Sequence, residues 1–202
     1  MTNTSDTNTS DTNTSAKRPA RPGGRSKRTA SPRIKEMLRV DHAGEYAAVA
    51  IYDAQSKVFG RSPKTREISR QLAHMRDEEQ EHLDAFNELL LENNARPTAL
   101  IGLWKLASTG LGIGTALMGE KAAHACTEAV ENVIEQHYAE QINQTKNSEP
   151  ELCARFTQFR EDELRHRDTA IEHGAKDAPA YPLLTVVITA GCKTAIKLSE
   201  KI

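Results

Sequence analysis

Residues 68–89 read ISRQLAHMRDEEQEHLDAFNEL, and residues 152–170 read LCARFTQFREDELRHRDTA. In the first run Ile68, Leu72, Met75, Glu79, His82, Phe86 and Leu89 are spaced by alternating fours and threes, which on an α-helix puts all seven on one stripe. Leu152, Phe156, Phe159, Glu163, His166 and Ala170 repeat the pattern in the second run. Each time, a Glu-x-x-His pair interrupts a stripe that is otherwise apolar. Such a pair is a weak signal by itself, because chance nearly supplies it in a chain this rich in glutamate. Its place in a buried seam is what carries information. A carboxylate buried without a partner costs several kcal/mol or takes up a proton, so two such pairs in a core demand compensating positive charge. A metal would supply it.

Outward from these runs the chain reads as helix after helix, without alternating β-branched segments, so an all-α fold is expected. Ser31-Pro32 supplies an N-cap and first turn for a helix running to about Phe59, with Gly60 stopping it. Ser62-Pro63 repeats the signal for a second helix ending near Asn93-Asn94. An apolar third segment covers residues 99–119, a fourth helix covers about 120–146, a fifth begins at Pro150 and ends by Gly174, and a short sixth follows Pro182.

The first and fourth helices each offer a glutamate on an inward stripe: Glu45 with Leu38, Val49, Tyr52 and Phe59, and Glu131 with Thr127, Ile134 and Tyr138. Glu128 and Glu135 compete with Glu131 one turn away. One Glu from each of two helices and Glu-x-x-His from each of the other two is the ligand set of ferritin-like di-iron carboxylate bundles. Four carboxylates balance two ferrous ions, and hard oxygen and imidazole donors suit iron or manganese better than copper or structural zinc. Glu45 precedes Glu79 by 34 residues and Glu131 precedes Glu163 by 32, as in two copies of one helical hairpin.

Around the expected ligands Glu45, Glu79, His82, Glu131, Glu163 and His166, three further residues are assigned supporting places. Asp162 stands in an Asp-Glu-Leu-Arg-His run resembling di-iron oxygenases and the ribonucleotide reductase radical subunit, where the aspartate orients a ligand histidine. His137, six residues beyond Glu131, is placed to hydrogen-bond a ligand, and Tyr138 follows it. His42, His74, His124 and His173 are read as surface or packed residues.

Composition narrows the setting. Net charge is −1, yet residues 17–35 carry eight Lys or Arg and no acid. Residues 1–30 are expected to be a disordered polar and basic leader, and residues 31–202 the helical domain. The leader repeats the pentad TNTSD and has no apolar core, so secretion is not expected. Cys126, Cys153 and Cys192 fit neither a disulfide framework nor zinc spacing, which favours a reducing compartment. No Gly-rich dinucleotide motif appears, and no nucleic-acid partner is expected.

Residues 99–119 are nearly long enough to span a bilayer but hold Lys105 and five glycines, and the run 181–192 is too short. Both are read as additional apolar helices lying in a membrane interface, beside a site that would then serve an apolar substrate.

Six runs, LRVDHAGEYAA, IYDAQ, MRDEEQEHLDAF, GIGTALMGEKAAHACTEAVE, QHYAEQI and FREDELRHRDTAIEHGA, resemble the bacterial and mitochondrial demethoxyubiquinone hydroxylases of ubiquinone biosynthesis. The resemblance covers about residues 33–202. It implies the same six ligands, selects Glu131 over its rivals, and matches His137 and Tyr138 to the family's His-Tyr pair. The stretch between Gly60 and Met75 is longer than in the family.

What the resemblance implies is a di-iron monooxygenase that hydroxylates the unsubstituted ring carbon of a polyprenyl methoxy-methyl-benzoquinone. It would use dioxygen and electrons from NADH or the quinol. The setting would be the cytoplasmic face of a bacterial membrane or the matrix face of the mitochondrial inner membrane, alongside other ubiquinone-biosynthesis proteins. The alternative is a ferritin or rubrerythrin-like iron-storage or peroxide-scavenging protein.

Overall fold

The computed structural model describes Met1 and residues 30–202. The expected leader and most of the basic arm lie outside the described residues. Six α-helices follow in order: α1 (Pro32–Phe59), α2 (Arg66–Glu92), α3 (Ile101–Leu117), α4 (Glu120–Thr145), α5 (Pro150–Glu172) and α6 (Tyr181–Ser199). No strand occurs among the described residues.

Local chemistry sets the ends. The Ser31 side chain accepts the Ile34 N–H at 3.2 Å, and Pro32 occupies the first turn where no backbone donor is needed. Gly60 ends α1 as expected, in a right-handed conformation. Its φ is −63°, and a Cβ there would lie 3.1 Å from the Ser56 carbonyl and 3.2 Å from Ser69 Oγ. At that point α1 and α2 are stitched by reciprocal bonds, Ser56 Oγ to the Ser69 carbonyl and Ser69 Oγ to the Ser56 carbonyl. After Gly60, a 3₁₀ turn at Pro63–Thr65 carries the chain into α2.

Helices α1 and α2 form one antiparallel hairpin, α4 and α5 the other, while α3 packs along α1 and α6 along α4. The chain is thus two hairpins, as the doubled Glu and Glu-x-x-His order implied, each with a further helix packed along it. Close approach of α3 requires Gly112, where a Cβ would stand 2.6 Å from the Ile51 carbonyl. Gln55 donates to Thr115 at 2.9 Å across the same contact.

Two apolar clusters fill the bundle. Tyr52, Phe59, Ile68, Leu72, Met75 and Cys126 belong to one, and Met37, Leu38, Phe86, Tyr138, Phe156 and Phe159 to the other. Along α2 the first ends at Met75 and the second begins at Phe86, so Glu79 and His82 lie in the gap between them.

Helix α6 differs from expectation in length. It is not a short helix: it continues beyond the apolar run 181–192 to Ser199, because Ile188 and Ser199 are buried and Lys193 and Lys197 fall on the exposed side. The whole helix is long and apolar enough to cross a membrane by length and composition. Its C-terminal end is tied to the bundle: Trp104 donates to Ser199 Oγ at 3.0 Å, and Arg39 donates to the Glu200 carbonyl at 3.1 Å.

Candidate metal centre

The six residues singled out by periodicity meet in the gap between the two clusters. Glu45, Glu79, Glu131 and Glu163 are at most 1% exposed, and His82 and His166 are 4% and 3% exposed. They form two sets, Glu45, Glu79, His82 and Glu163, and Glu79, Glu131, Glu163 and His166, in each of which one atom per residue lies within 4.8 Å of the others. Glu79 and Glu163 belong to both sets. A pair of neighbouring cations bridged by two carboxylates and completed by one Glu and one His each would fit this arrangement.

The histidines face the acids through Nδ1. His82 Nδ1 is 3.3 Å from both Glu79 and Glu163 and 3.8 Å from Glu45. His166 Nδ1 is 3.0 Å from Glu79 and 3.5 Å from Glu163. Their other nitrogens are braced from across the bundle, His82 Nε2 by Asp162 at 3.1 Å and His166 Nε2 by Glu78 at 3.0 Å. An ionised carboxylate only accepts, so each Nε2 carries a proton and each Nδ1 faces the cluster, which is the orientation a metal-binding imidazole needs once a cation displaces any proton on Nδ1. Arg165 bonds Asp162 and reaches Glu78 at 3.4 Å, holding both braces in place.

The single glutamates are braced in the same crossed fashion. Tyr138 on α4 donates to Glu45 on α1, and Tyr52 on α1 donates to Glu131 on α4. Each tyrosine stands seven residues after the glutamate of its own helix. Burial, reinforced by Glu131 for Tyr52 and by Glu45 for Tyr138, holds both hydroxyls protonated well above the usual phenol range.

Charge explains what the cluster lacks. Among the described residues twelve buried side-chain polar atoms have no hydrogen-bond partner, and eight of them belong to these six residues. Burial, then the charges of Glu163 and Glu79, push the Glu131 carboxyl well above its ordinary range. Burial opposes the charge on His166, yet Glu163 and Glu79 push it up to about 12, and Glu163, Glu45 and Glu79 raise His82 likewise. Left alone, the cluster must bind protons; two divalent cations would neutralise its four carboxylates and occupy the unpartnered atoms.

Other residues stand as follows. His137 turns away from the six: its Nε2 lies 3.4 Å from Asp41 and 3.1 Å from Gln141, and no hydrogen bond joins it to them, so the expected bond to a ligand is replaced by one to a buried acid. Gln141 also donates to Asp41 at 2.8 Å. Glu128 instead accepts from Tyr181, and Glu135 pairs with Arg160. His42 bonds Asn87 at 3.0 Å, His124 is buried against His173, and His74 is exposed. Glu78 holds the place before Glu79 that Asp162 holds before Glu163, as the sequence had it, whereas Asp41 was missed. Tyr52 was placed on the inward stripe with Glu45, and the repeated seven-residue spacing from glutamate to tyrosine was the available signal for its bond to Glu131.

Helix order, crossed braces and a buried carboxylate–histidine cluster able to hold metal define a ferritin-like helical protein. Within that class, the family model described as ubiquinone biosynthesis protein COQ7 matches residues 32–199, and the chain belongs to that family. It is 45% identical over 172 residues to a protein of Mus musculus, covering 83% of this chain and 77% of that one, named NADPH-dependent 3-demethoxyubiquinone 3-hydroxylase, mitochondrial. It is 46% identical over 169 residues, 84% of this chain and 78% of the other, to the 3-demethoxyubiquinol 3-hydroxylase of Rhodospirillum rubrum. A Saccharomyces cerevisiae protein named 5-demethoxyubiquinone hydroxylase, mitochondrial, is 40% identical over 185 residues, 84% and 78% of the two chains.

Proposed function

We propose that residues 31–202 form a di-iron monooxygenase domain that hydroxylates demethoxyubiquinone or its quinol. Two observations support the reading together: the family, whose cited relatives are named for this hydroxylation, and the unpartnered donor atoms of the buried cluster. None of those names describes iron storage or peroxide scavenging.

Glu45, Glu79, His82 and Glu163 would hold one iron, and Glu79, Glu131, Glu163 and His166 the other, with Glu79 and Glu163 shared. When bound, the irons supply the dioxygen-activating redox chemistry that no side chain here can perform. In the net reaction the ring C–H becomes C–OH, the second oxygen atom leaves as water, NADH or the quinol provides two electrons, and two protons come from that donor and the solvent. Asp162 and Glu78 keep the histidines oriented, while Tyr138 and Tyr52 hold Glu45 and Glu131 by donating to one oxygen of each.

The substrate's place is the apolar cavity of about 320 Å³ among α1, α3, α4 and α6, which Ile51, Leu111, Val130 and Ile188 help to line. Its apolar walls suit a methyl-bearing ring and isoprenoid tail. Leu103, Leu106 and Ile113 on α3 and Leu183, Val186 and Val187 on α6 are exposed, which suits a protein lying on a lipid surface where such a tail resides. On this reading it is a peripheral protein on the cytoplasmic face of a bacterial membrane or the matrix face of the mitochondrial inner membrane, near other enzymes of the pathway.

Quinone profiling in a strain lacking its own hydroxylase tests this reading. The chain should clear accumulated demethoxyubiquinone and Glu163→Ala should not; clearance by neither, with both proteins present and folded, would overturn it.

A further inference from the structure

Two cavities adjoin next to Glu45. The larger is the apolar one of about 320 Å³. The smaller, about 30 Å³, is bounded by Asp41, Glu45, His137 and Tyr138 and so reaches the cluster. Val40, Gly44, Ile134 and Ile196 line both, and residues common to two adjoining cavities form the partition between them.

Gly44 is the thinnest part of that partition. A Cβ built on it would meet no atom within 4 Å, whereas one on Gly112 would stand 2.6 Å from the Ile51 carbonyl. Helix–helix packing therefore accounts for Gly112 and does not account for Gly44. A glycine in a helix interior is less stable than alanine, so an unforced one inside α1 is a local penalty with no packing return. What it leaves is open space immediately before a cluster glutamate.

We propose that Gly44 sets the bore of the passage by which the quinone ring leaves the apolar cavity and reaches the cluster, with Val40, Ile134 and Ile196 as the other walls. This rests on the quinone-hydroxylase reading above. The isoprenoid tail stays in the larger cavity while the flat ring occupies the neck, so a side chain at residue 44 obstructs the ring and spares the tail.

Trp104 makes the two steps separable: it is the one tryptophan of the chain and it lines the larger cavity. A quinone entering that cavity quenches its fluorescence, and a ring reaching the cluster alters the electronic spectrum of the cobalt(II)-loaded protein. The experiment titrates wild type, Gly44→Ala and Gly44→Val with a short-tailed demethoxyubiquinone analogue, reading quenching, the cobalt spectrum, product and Tm. In Gly44→Val, half-saturation of quenching stays within about twofold, the spectral change is lost, and turnover by the iron-loaded protein falls by about tenfold or more. Gly44→Ala raises Tm and gives an intermediate loss, which keeps the test valid if the valine variant folds poorly.

Wild-type turnover and spectral change in Gly44→Val would overturn the proposal, as would parallel loss of quenching. If wild type forms no product but its cobalt spectrum responds to the quinone, the hydroxylase reading fails, and the passage is still judged by whether Gly44→Val abolishes that response.

Discussion

Asp162 Oδ2 lies 3.1 Å from Nε2 of His82, the histidine of the opposite hairpin, and Glu78 Oε2 lies 3.0 Å from Nε2 of His166 in the reciprocal contact. Each acid directly precedes a shared glutamate on its own helix and contacts the histidine of the other, as a residue that orients a metal-binding imidazole would. Asp162→Ala should therefore weaken binding of a divalent metal by about 10- to 100-fold without loss of helicity, and Glu78→Ala should do the same. Anaerobic equilibrium dialysis with circular dichroism measures both. Wild-type affinity in Asp162→Ala would contradict the orienting role.

The sharing of Glu79 and Glu163 between the two sets has its own consequence. Glu79→Ala or Glu163→Ala should reduce metal content at both positions, while Glu45→Ala or Glu131→Ala should chiefly empty one. Metal analysis of anaerobically loaded protein distinguishes the patterns, and equal losses in all four variants would count against shared carboxylates.

Metal-free stability should move the other way. Glu131 is buried with one oxygen unpartnered, and its charge is disfavoured by burial and by Glu163 and Glu79. Glu131→Gln should make the metal-free protein more stable by about 1–3 kcal/mol while lowering the stability gained on metal loading. Denaturant unfolding with and without manganese reads both quantities; a destabilised metal-free variant would contradict the charge argument.

Acid should act through His124. Burial, then the charge of His173, pull its imidazole from 6.5 down to about 4. Below pH 6.5 the unfolded chain takes up a proton that the folded chain refuses, so this contribution is intact above about 6.5 and is lost as pH falls toward about 4. His124→Gln should lose less stability than wild type between pH 7 and pH 5, roughly the window set by these values. Equal losses, followed by thermal unfolding, would argue against it.

Much of this was legible in the residues. The buried set of α5 is Leu152, Phe156, Phe159, Glu163, His166 and Ala170, the six its periodicity selects. Helical spacing reports which side chains share a face, and that sufficed to choose the residues that converge. It carries no information on register between helices, so that Asp162 meets His82 rather than His166 could not be read. For the same reason His137 was assigned toward a ligand, whereas the α1–α4 register sets it against Asp41. The end of α6 was underestimated because Lys193 and Lys197 break the apolar run, although on a helix they share an exposed side and leave Ile188 and Ser199 to the bundle.

An iron-holding cluster that directs an oxygen atom onto a quinone ring must leave an isotopic mark on the product. The most direct test is a single-turnover reaction of anaerobically iron-loaded protein with a short-tailed demethoxyubiquinol and oxygen-18-labelled dioxygen, followed by mass spectrometry. The wild type should give hydroxylated product carrying one labelled oxygen, and Glu163→Ala none. Unlabelled product, or labelled product at the wild-type rate from Glu163→Ala, would contradict that role for the cluster.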